Sequence, residues 1–384
     1  MITQSLPSPA RLASGEPWEA EPAGTTPMTN SHQPRAGFTI RDLLMLTFFV
    51  AALLFCCVPW TQMGHREAYR RMQCTHNLKH LMLAMYNYHD TYRHLPAAMG
   101  GFGSAGDPSV RDANRLSGFV MVLPFLEQDF LYEQITSQGT AIPPPPWDQS
   151  FAPWQEQLEI LTCPSAPRVE SSLGRTNYAF SIGDVASDIH HLKEARGASA
   201  PGLCLGFRDM HDGLSNTIML AEIGSPDWRY VPGNYAINIP AVVLDDPARC
   251  WKVLDEAKPK RAMYRSYRAA IPLHDLGRGY SWADGCAGPG LVNTILPPNG
   301  ASCAVLGKEA VDGIYSAGSS HPGGVLVGLC DGSFRFIPET IDTGDLTQSP
   351  PQQEDIRKNA FSSPYGVWGA LGSRDGQEKT DFDY

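Results

Sequence analysis

The nine cysteines of this chain include no Cys-x-x-Cys pair, which argues against a zinc ribbon built on paired ligands. Basic residues are not in excess. Thirty Lys and Arg stand against 40 Asp and Glu, for a net charge of -10, so the electrostatic footprint of a nucleic-acid binder is missing. No Gly-x-Ser-x-Gly elbow occurs, and no EF-hand spacing. With them go the sequence signals of an α/β-hydrolase nucleophile and of a helix-loop-helix calcium site. Long hydrophobic runs are scarce as well, with the exception of Leu43 to Trp60.

That run has Thr47 as its only polar residue, and a bilayer-spanning helix needs roughly 18–20 apolar residues. A buried helix of a soluble protein normally keeps a polar face, which this stretch lacks. A removed secretory signal would have a shorter apolar core followed by a small-x-small cleavage site. The run therefore reads as a retained membrane span at about 40–60, with Cys56 and Cys57 in lipid and Pro59 marking a kink or the exit. Beyond it Cys74, Leu78, Leu81, Met85, Tyr88 and Tyr92 recur at spacings of four and three, while Arg70, Lys79, Asn87 and Asp90 fall off that stripe. One helix from about Ile40 to Tyr92 is predicted, ending at His94-Leu95-Pro96.

Glycine and proline are plentiful, at 36 and 32 residues, and they recur after Leu95 in the manner of many short elements joined by turns. Residues 96–384 read as one β-rich domain. Gly118 to Leu123 is expected as a strand or buried segment, Pro143 to Pro146 as a polyproline loop, Thr217 to Ala221 as a strand or buried run with Glu222 near its end, and Ala236 to Leu244 as a further strand. The sharpest local signal is Asp331-Gly332 between Gly324–Cys330 and Ser333–Ile337, a hairpin with Phe334 and Phe336 on one face and Arg335 on the other. The expected fold class is α+β, a long helix packed on an antiparallel sheet with long loops.

Gly37-Phe38-Thr39-Ile40-Arg41-Asp42-Leu43-Leu44 resembles the GFTLIELL signature of type IV prepilins and type II secretion pseudopilins. Arg66 to Cys74 and Asn77-Leu78-Lys79 are similar to the large pilin-like proteins of planctomycetes, whose C-terminal domain of unknown function (1559, solute-binding-like) has no assigned role. Further matching stretches are Asn87 to Asp90, Leu123 to Gln128, Leu161 to Ser165, Asp212 to Thr217, Ser281 to Gly285, His321 to Gly324, Asp331 to Ser333 and Trp368 to Gly372.

The resemblance implies that a prepilin peptidase cuts between Gly37 and Phe38 and that Phe38 is then N-methylated. It also implies that Asp42, in the place of the family's glutamate, meets the N-terminal ammonium of a neighbouring subunit. Asp42 is one methylene shorter than that glutamate, and Arg41 stands where the family has an apolar residue. The stretch 1–37 has the composition of a disordered leader; a start at Met28 would leave a short basic one. More basic residues follow the run than precede it, against export by the positive-inside count. Long C-terminal domains translocate largely regardless of that count, and the cleavage needs a cytoplasmic leader. The expected location is the cytoplasmic membrane, single-pass, with the C-terminal domain outside the cytoplasm.

Expected function is structural or assembly work without catalysis or cofactor, with the membrane, the peptidase and a homo-oligomer or pseudopilus as partners. The alternative is a monomeric anchored receptor for a surface polymer or small solute, with Trp147, Trp228 and Trp282 as stacking residues. A Cys/His/Asp site from His321, Cys330 and Asp331 can be drawn on paper, but loop and turn chemistry account for each residue. His190-His191 and His211-Asp212 read as surface loops. Asp209, Asp212 and Asn216 are weak candidates for a loop calcium site, and Cys286 with Cys303 is the candidate disulfide.

Overall fold

The computed structural model describes residues 39–100, 115–137, 143–255, 265–307, 311–357 and 361–378, with only the backbone of 54–66. Gly37, Phe38, the leader and Met28 lie outside the described residues. The chain divides into two units, Met1–Trp60 and Thr61–Tyr384. Helix α1 has the bounds that the periodicity predicts, Ile40–Tyr92. Its first turn is a capping box. The Thr39 amide and hydroxyl donate to Asp42 Oδ2 at 3.0 and 2.7 Å, and the Asp42 amide returns a bond to Thr39 Oγ1 at 3.3 Å, so two orphan donors of the helix start are satisfied. Ile40, Leu44, Phe48 and Leu53 are all more than half exposed. Among the described residues no helix is long and apolar enough to cross a membrane. The side chains of 54–66, which include Cys56, Cys57 and Pro59, lie outside them.

In the second unit the helix buries the predicted stripe. Cys74, Leu78, Leu81 and Met85 are fully buried and Tyr88 nearly so, whereas Arg70, Lys79, Asn87 and Asp90 are exposed. Tyr92 departs from the expectation and is half exposed. The next residue, Arg93, turns left-handed with φ 66° and ends the helix, so the chain leaves the stripe there.

The stripe lies on a sheet of five strands: β1 Tyr178–Ser181, β2 Ile218–Glu222, β3 Leu291–Val292, β4 Gly324–Leu329 and β5 Phe334–Pro338. Their order is β3-β1-β2-β4-β5; only the β1–β3 pair is parallel, and β2 shifts register between Ile218 and Leu220. Tyr178, Phe180, Leu220 and Leu326 pack in the cluster that holds the α1 stripe. Ala179, Ala221, Val325 and Val327 pack with Trp368 and Leu371 of helix α2, Gly366–Gly372. Burial on both faces explains why these strands read as apolar runs rather than alternations.

The β4–β5 hairpin forms as predicted, with Leu326 opposite Phe336 and Gly332 at φ 81° in the turn. Arg71 and Lys79 of α1 lie 3.7 and 4.8 Å from the ring centroids of Phe336 and Phe334. At Gly328 the α1 side chains press on the strand, since a Cβ there would meet Met82 Sδ at 2.6 Å.

Of the two readings of Gly118 to Leu123 the buried segment holds and the strand does not, and the expected strand at Ala236 to Leu244 is corrected. Gly118–Val122 is helical and Leu123–Leu126 a 3-10 turn. Ser117 caps the helix by accepting the Phe119 amide at 3.3 Å. The Ala236 to Leu244 stretch makes only isolated bridges at Ala236, to Leu273 and Cys303, and Ala241–Leu244 is a 3-10 turn. Pro240 has no N–H to continue a ladder. Two further sheets, each of two strands, pair Met99–Gly100 with Leu116–Ser117 and Cys303–Ala304 with Gly313–Ile314, so the domain is loop-rich around one sheet of five strands.

A third apolar cluster includes Val231, Val243, Tyr267, Ile295, Ile314 and Tyr365. The disulfide Cys250–Cys303 staples it, with a Cα–Cα distance of 5.9 Å, which overturns the expected Cys286–Cys303 pair. Cys286 is buried and in neither disulfide. It caps the Ala287–Gly290 turn, while Cys250 Cα lies within bridging range of Cys303 Cα. Nearby, Arg278 is fully buried, donating to Leu291 O at 2.6 Å and more weakly to Ser302 Oγ and Ser316 O.

Candidate functional site

A second disulfide, Cys74–Cys163, joins the α1 stripe to the loop after the Glu159–Leu161 turn, with a Cα–Cα distance of 5.3 Å. The approach is set by neighbouring amides. Asn77 Nδ2 donates to Thr162 O at 3.0 Å and to Glu159 O at 3.3 Å, and the Cys163 amide donates to Asn177 Oδ1 at 2.9 Å. Beside it stands His321, whose side chain is wholly buried. Its loop is pinned in relay: the His321 amide donates to Ser319 Oγ at 3.1 Å and the Ser319 amide to Asn299 Oδ1 at 2.9 Å.

His321 is held between two acids. Nδ1 lies 2.7 Å from Glu67 Oε1, and Nε2 lies 3.4 Å from Cys163 Sγ and 3.8 Å from Glu222 Oε1. Whenever the ring is neutral, a carboxylate at Nδ1 holds its proton there and leaves Nε2 as the acceptor. Glu67 also accepts the Ser165 hydroxyl at 3.2 Å. Glu222 ends β2 and is fully buried; its Oε2 accepts the Leu326 amide at 2.9 Å. Burial pushes its carboxyl above the usual range, opposed by His321 and the Leu326 amide. Next to this centre opens a groove of 810 Å³, lined by Glu67, Arg71, Met72, His76, Lys79 and Pro322 among others.

The other sequence candidates are placed elsewhere or otherwise engaged. Asp212 accepts the Gly376 and Gln377 amides at 2.6 and 2.8 Å and the Ser373 hydroxyl at 3.2 Å. Asp209 caps its own turn by accepting the Gly206 amide at 2.7 Å, and Asn216 donates to Asp212 O at 3.1 Å. Both Asp212 oxygens are spent on donors that clamp the chain at 373–377, so the calcium reading gives way to a loop clamp. Trp282 is fully buried, edge-on to Trp154 and donating to Glu156 O at 2.9 Å, which makes it core rather than a stacking platform. Trp147 is partly exposed under the Arg115 guanidinium, and Trp228 is 69% exposed; neither lines the groove.

His321, Cys330 and Asp331 do not form a unit. Asp331 accepts the amide and hydroxyl of Ser333 at 2.8 and 2.5 Å, and burial holds the Cys330 thiol protonated. His190 Nε2 accepts the Ala287 amide at 3.2 Å, and His211 Nδ1 lies 3.1 Å from Asp375.

Sequence reasoning singled out His321 and noted Glu222 at its strand end, but missed Glu67, Cys74 and Cys163 as its partners. A cysteine on the helix stripe, another in Leu161-Thr162-Cys163-Pro164, and a carboxylate closing the apolar run Ile218-Met219-Leu220-Ala221 were the available signals. Their separation along the chain hid their meeting.

Residues 64–344 match the sequence profile of the family SBP_bac_10, described as protein of unknown function (DUF1559). All five residues of the centre fall within that span. Neither a curated protein nor a solved structure matches the chain.

Proposed function

The chain belongs to the DUF1559 family of proteins of unknown function, and from that premise we propose that it is a membrane-anchored, pilin- or pseudopilin-like structural protein, non-catalytic, with its second unit outside the cytoplasm. One observation carries the reading. Helix α1 opens with a capped turn and a run of exposed apolar side chains from Ile40 to Leu53, and an apolar surface of that length is costly in water.

Cleavage between Gly37 and Phe38 by a prepilin peptidase would place a new ammonium four residues before Asp42. The Thr39 bonds hold the Asp42 carboxylate at the start of the helix, where an acid also complements the helix dipole. Lateral association of such helices, with Phe38 of one subunit meeting Asp42 of the next, then offsets the cost of a carboxylate at the hydrocarbon edge. The alternative, a monomeric receptor, draws on exposed Trp228 and on Trp147 beneath the Arg115 guanidinium.

Mass spectrometry of the mature N-terminus tests the reading. A methylated Phe38 is expected, and an intact leader would overturn it. Single cysteines placed from Leu43 to Leu54 should crosslink to themselves in membranes; their failure to do so at native expression would favour the receptor.

A further inference from the structure

The centre at His321 has a ligand chemistry that its disulfide form does not use. One donor atom from each of Cys74, Cys163, Glu222 and His321 lies within 4.8 Å of all the others, and the four side chains are buried. We infer that these residues hold one zinc-type divalent cation whenever the two sulfurs are thiolates, so that the disulfide and the cation are alternative occupants of one buried centre.

Donor type selects the metal. Two thiolates, an imidazole and a carboxylate make a borderline-soft set suited to zinc, whereas calcium and magnesium take oxygen ligands. Ligands about 2.0–2.3 Å from a tetrahedral ion stand about 3.3–3.8 Å apart, so modest side-chain adjustment closes the set. Four protein ligands leave no open position, which makes the site structural.

The surroundings are those of a ligating histidine. A metal-bound imidazole is normally oriented by a carboxylate on its other nitrogen, and Glu67 occupies that place at 2.7 Å from Nδ1, itself braced by Ser165. Nε2 therefore offers its lone pair inward, toward Cys163 Sγ and Glu222 Oε1. Glu222 Oε1 is buried and has no hydrogen-bond partner among the described residues, while Oε2 is held by the Leu326 amide. Two acceptors facing each other at 3.8 Å are satisfied together by a cation between them. The groove that Glu67 and Pro322 line gives a route in from solvent.

The balance is simple. An external dithiol passes two electrons and two protons to the Cys74–Cys163 bond and closes to its own disulfide; the cation then displaces the two thiol protons to solvent.

The test titrates cobalt(II) into the full-length protein in detergent, before and after reduction by a dithiol that is then removed. Only the reduced protein should show a thiolate-to-cobalt charge-transfer band with intense tetrahedral visible bands. The signal should saturate at one ion per chain and be lost on adding zinc. Cys204→Ser should leave it unchanged. Glu67→Gln, which touches no proposed ligand atom of the metal, should weaken affinity about 10–100-fold. Cys74→Ser with Cys163→Ser should abolish the signal, and Glu222→Gln, which keeps an oxygen to accept the Leu326 amide, should lower affinity in a folded protein. If reduction loosens the fold, zinc should restore the native circular dichroism. A missing band in the reduced protein, failure of zinc to restore a loosened fold, a band in the oxidised protein or a band that survives the double cysteine variant would each overturn the inference. None of these outcomes bears on N-terminal processing.

Discussion

Two buried polar centres lie in the second unit, and they differ in what each lacks. Arg278 brings a cation into a site of neutral acceptors: Leu291 O, Ser302 Oγ, Ser316 O and the face of Tyr315, whose centroid is 5.6 Å away. No carboxylate among the described residues pairs with it, and burial pulls its pKa down to about 10. The His321 centre is the reverse, with acceptors in surplus: two carboxylates, an imidazole lone pair and two sulfurs. A cation supplied by the chain needs only carbonyls and hydroxyls to be settled, while a nest of acceptors is settled only by something from outside, a proton or a metal ion. The first is therefore a fixed structural part and the second a place where occupancy can change.

The largest effect is expected at Arg278. Arg278→Ala takes the guanidinium donor from the buried carbonyls of Leu291 and Ser316 and opens a cavity, and should cost about 3–5 kcal/mol in denaturant unfolding. Arg278→Lys keeps the charge but loses the planar fork, and should cost about 1–3 kcal/mol. A stable alanine variant would mean that the guanidinium only fills space.

Next in size is the staple of the same lobe. Cys250→Ala with Cys303→Ala frees a loop of 53 residues and should lower stability by about 2–4 kcal/mol, with no dependence on added zinc. Zinc dependence in that variant's wild-type parent after reduction belongs to the other disulfide, and removing the staple should leave it in place.

How much of this was written legibly in the sequence follows from range. Helix α1, its buried stripe and the Asp331-Gly332 hairpin are set by contacts a few residues apart, and the periodicities of 3.6 and 2 report them. Gly118–Val122 was ambiguous because a short apolar run is buried either as strand or as helix, and the Ser117 cap decided it. The Cys250–Cys303 pairing, the partners of His321 and the burial of Trp282 depend on loops folding over one another, and no local pattern encodes which loop meets which. Asp212 shows the same limit. Its Asp-Gly turn was visible, but its donors arrive from 373–377.

The acceptor-rich centre should respond more gently than Arg278 to loss of charge. His321→Ala in the oxidised protein removes the link between Glu67 and Glu222 and should cost about 1–3 kcal/mol. Glu222→Gln keeps the acceptor for the Leu326 amide and removes a carboxyl that burial disfavours as an anion. Its stability should stay within about 1 kcal/mol of the parent, in either direction. A large loss on Glu222→Gln would show that the centre carries a settled charge like Arg278, and the contrast between the two would fail.

The smallest effect lies at the rim of the groove, where α1 meets the hairpin through Lys79 over Phe334 at 4.8 Å and Arg71 over Phe336 at 3.7 Å. Both rings are only partly buried, so each pair should contribute about 0.5–1 kcal/mol. A double-mutant cycle with Lys79→Met and Phe334→Leu isolates the ring-cation term from the burial that methionine and leucine retain. Raising the salt concentration should leave that coupling largely in place for Arg71, whose guanidinium lies closer to its ring, and weaken it for exposed Lys79. If both couplings were zero, the packing of α1 on the hairpin would rest on apolar contacts such as those of Leu78 and Met82 at Gly328, with the two cations merely solvated at the groove's rim.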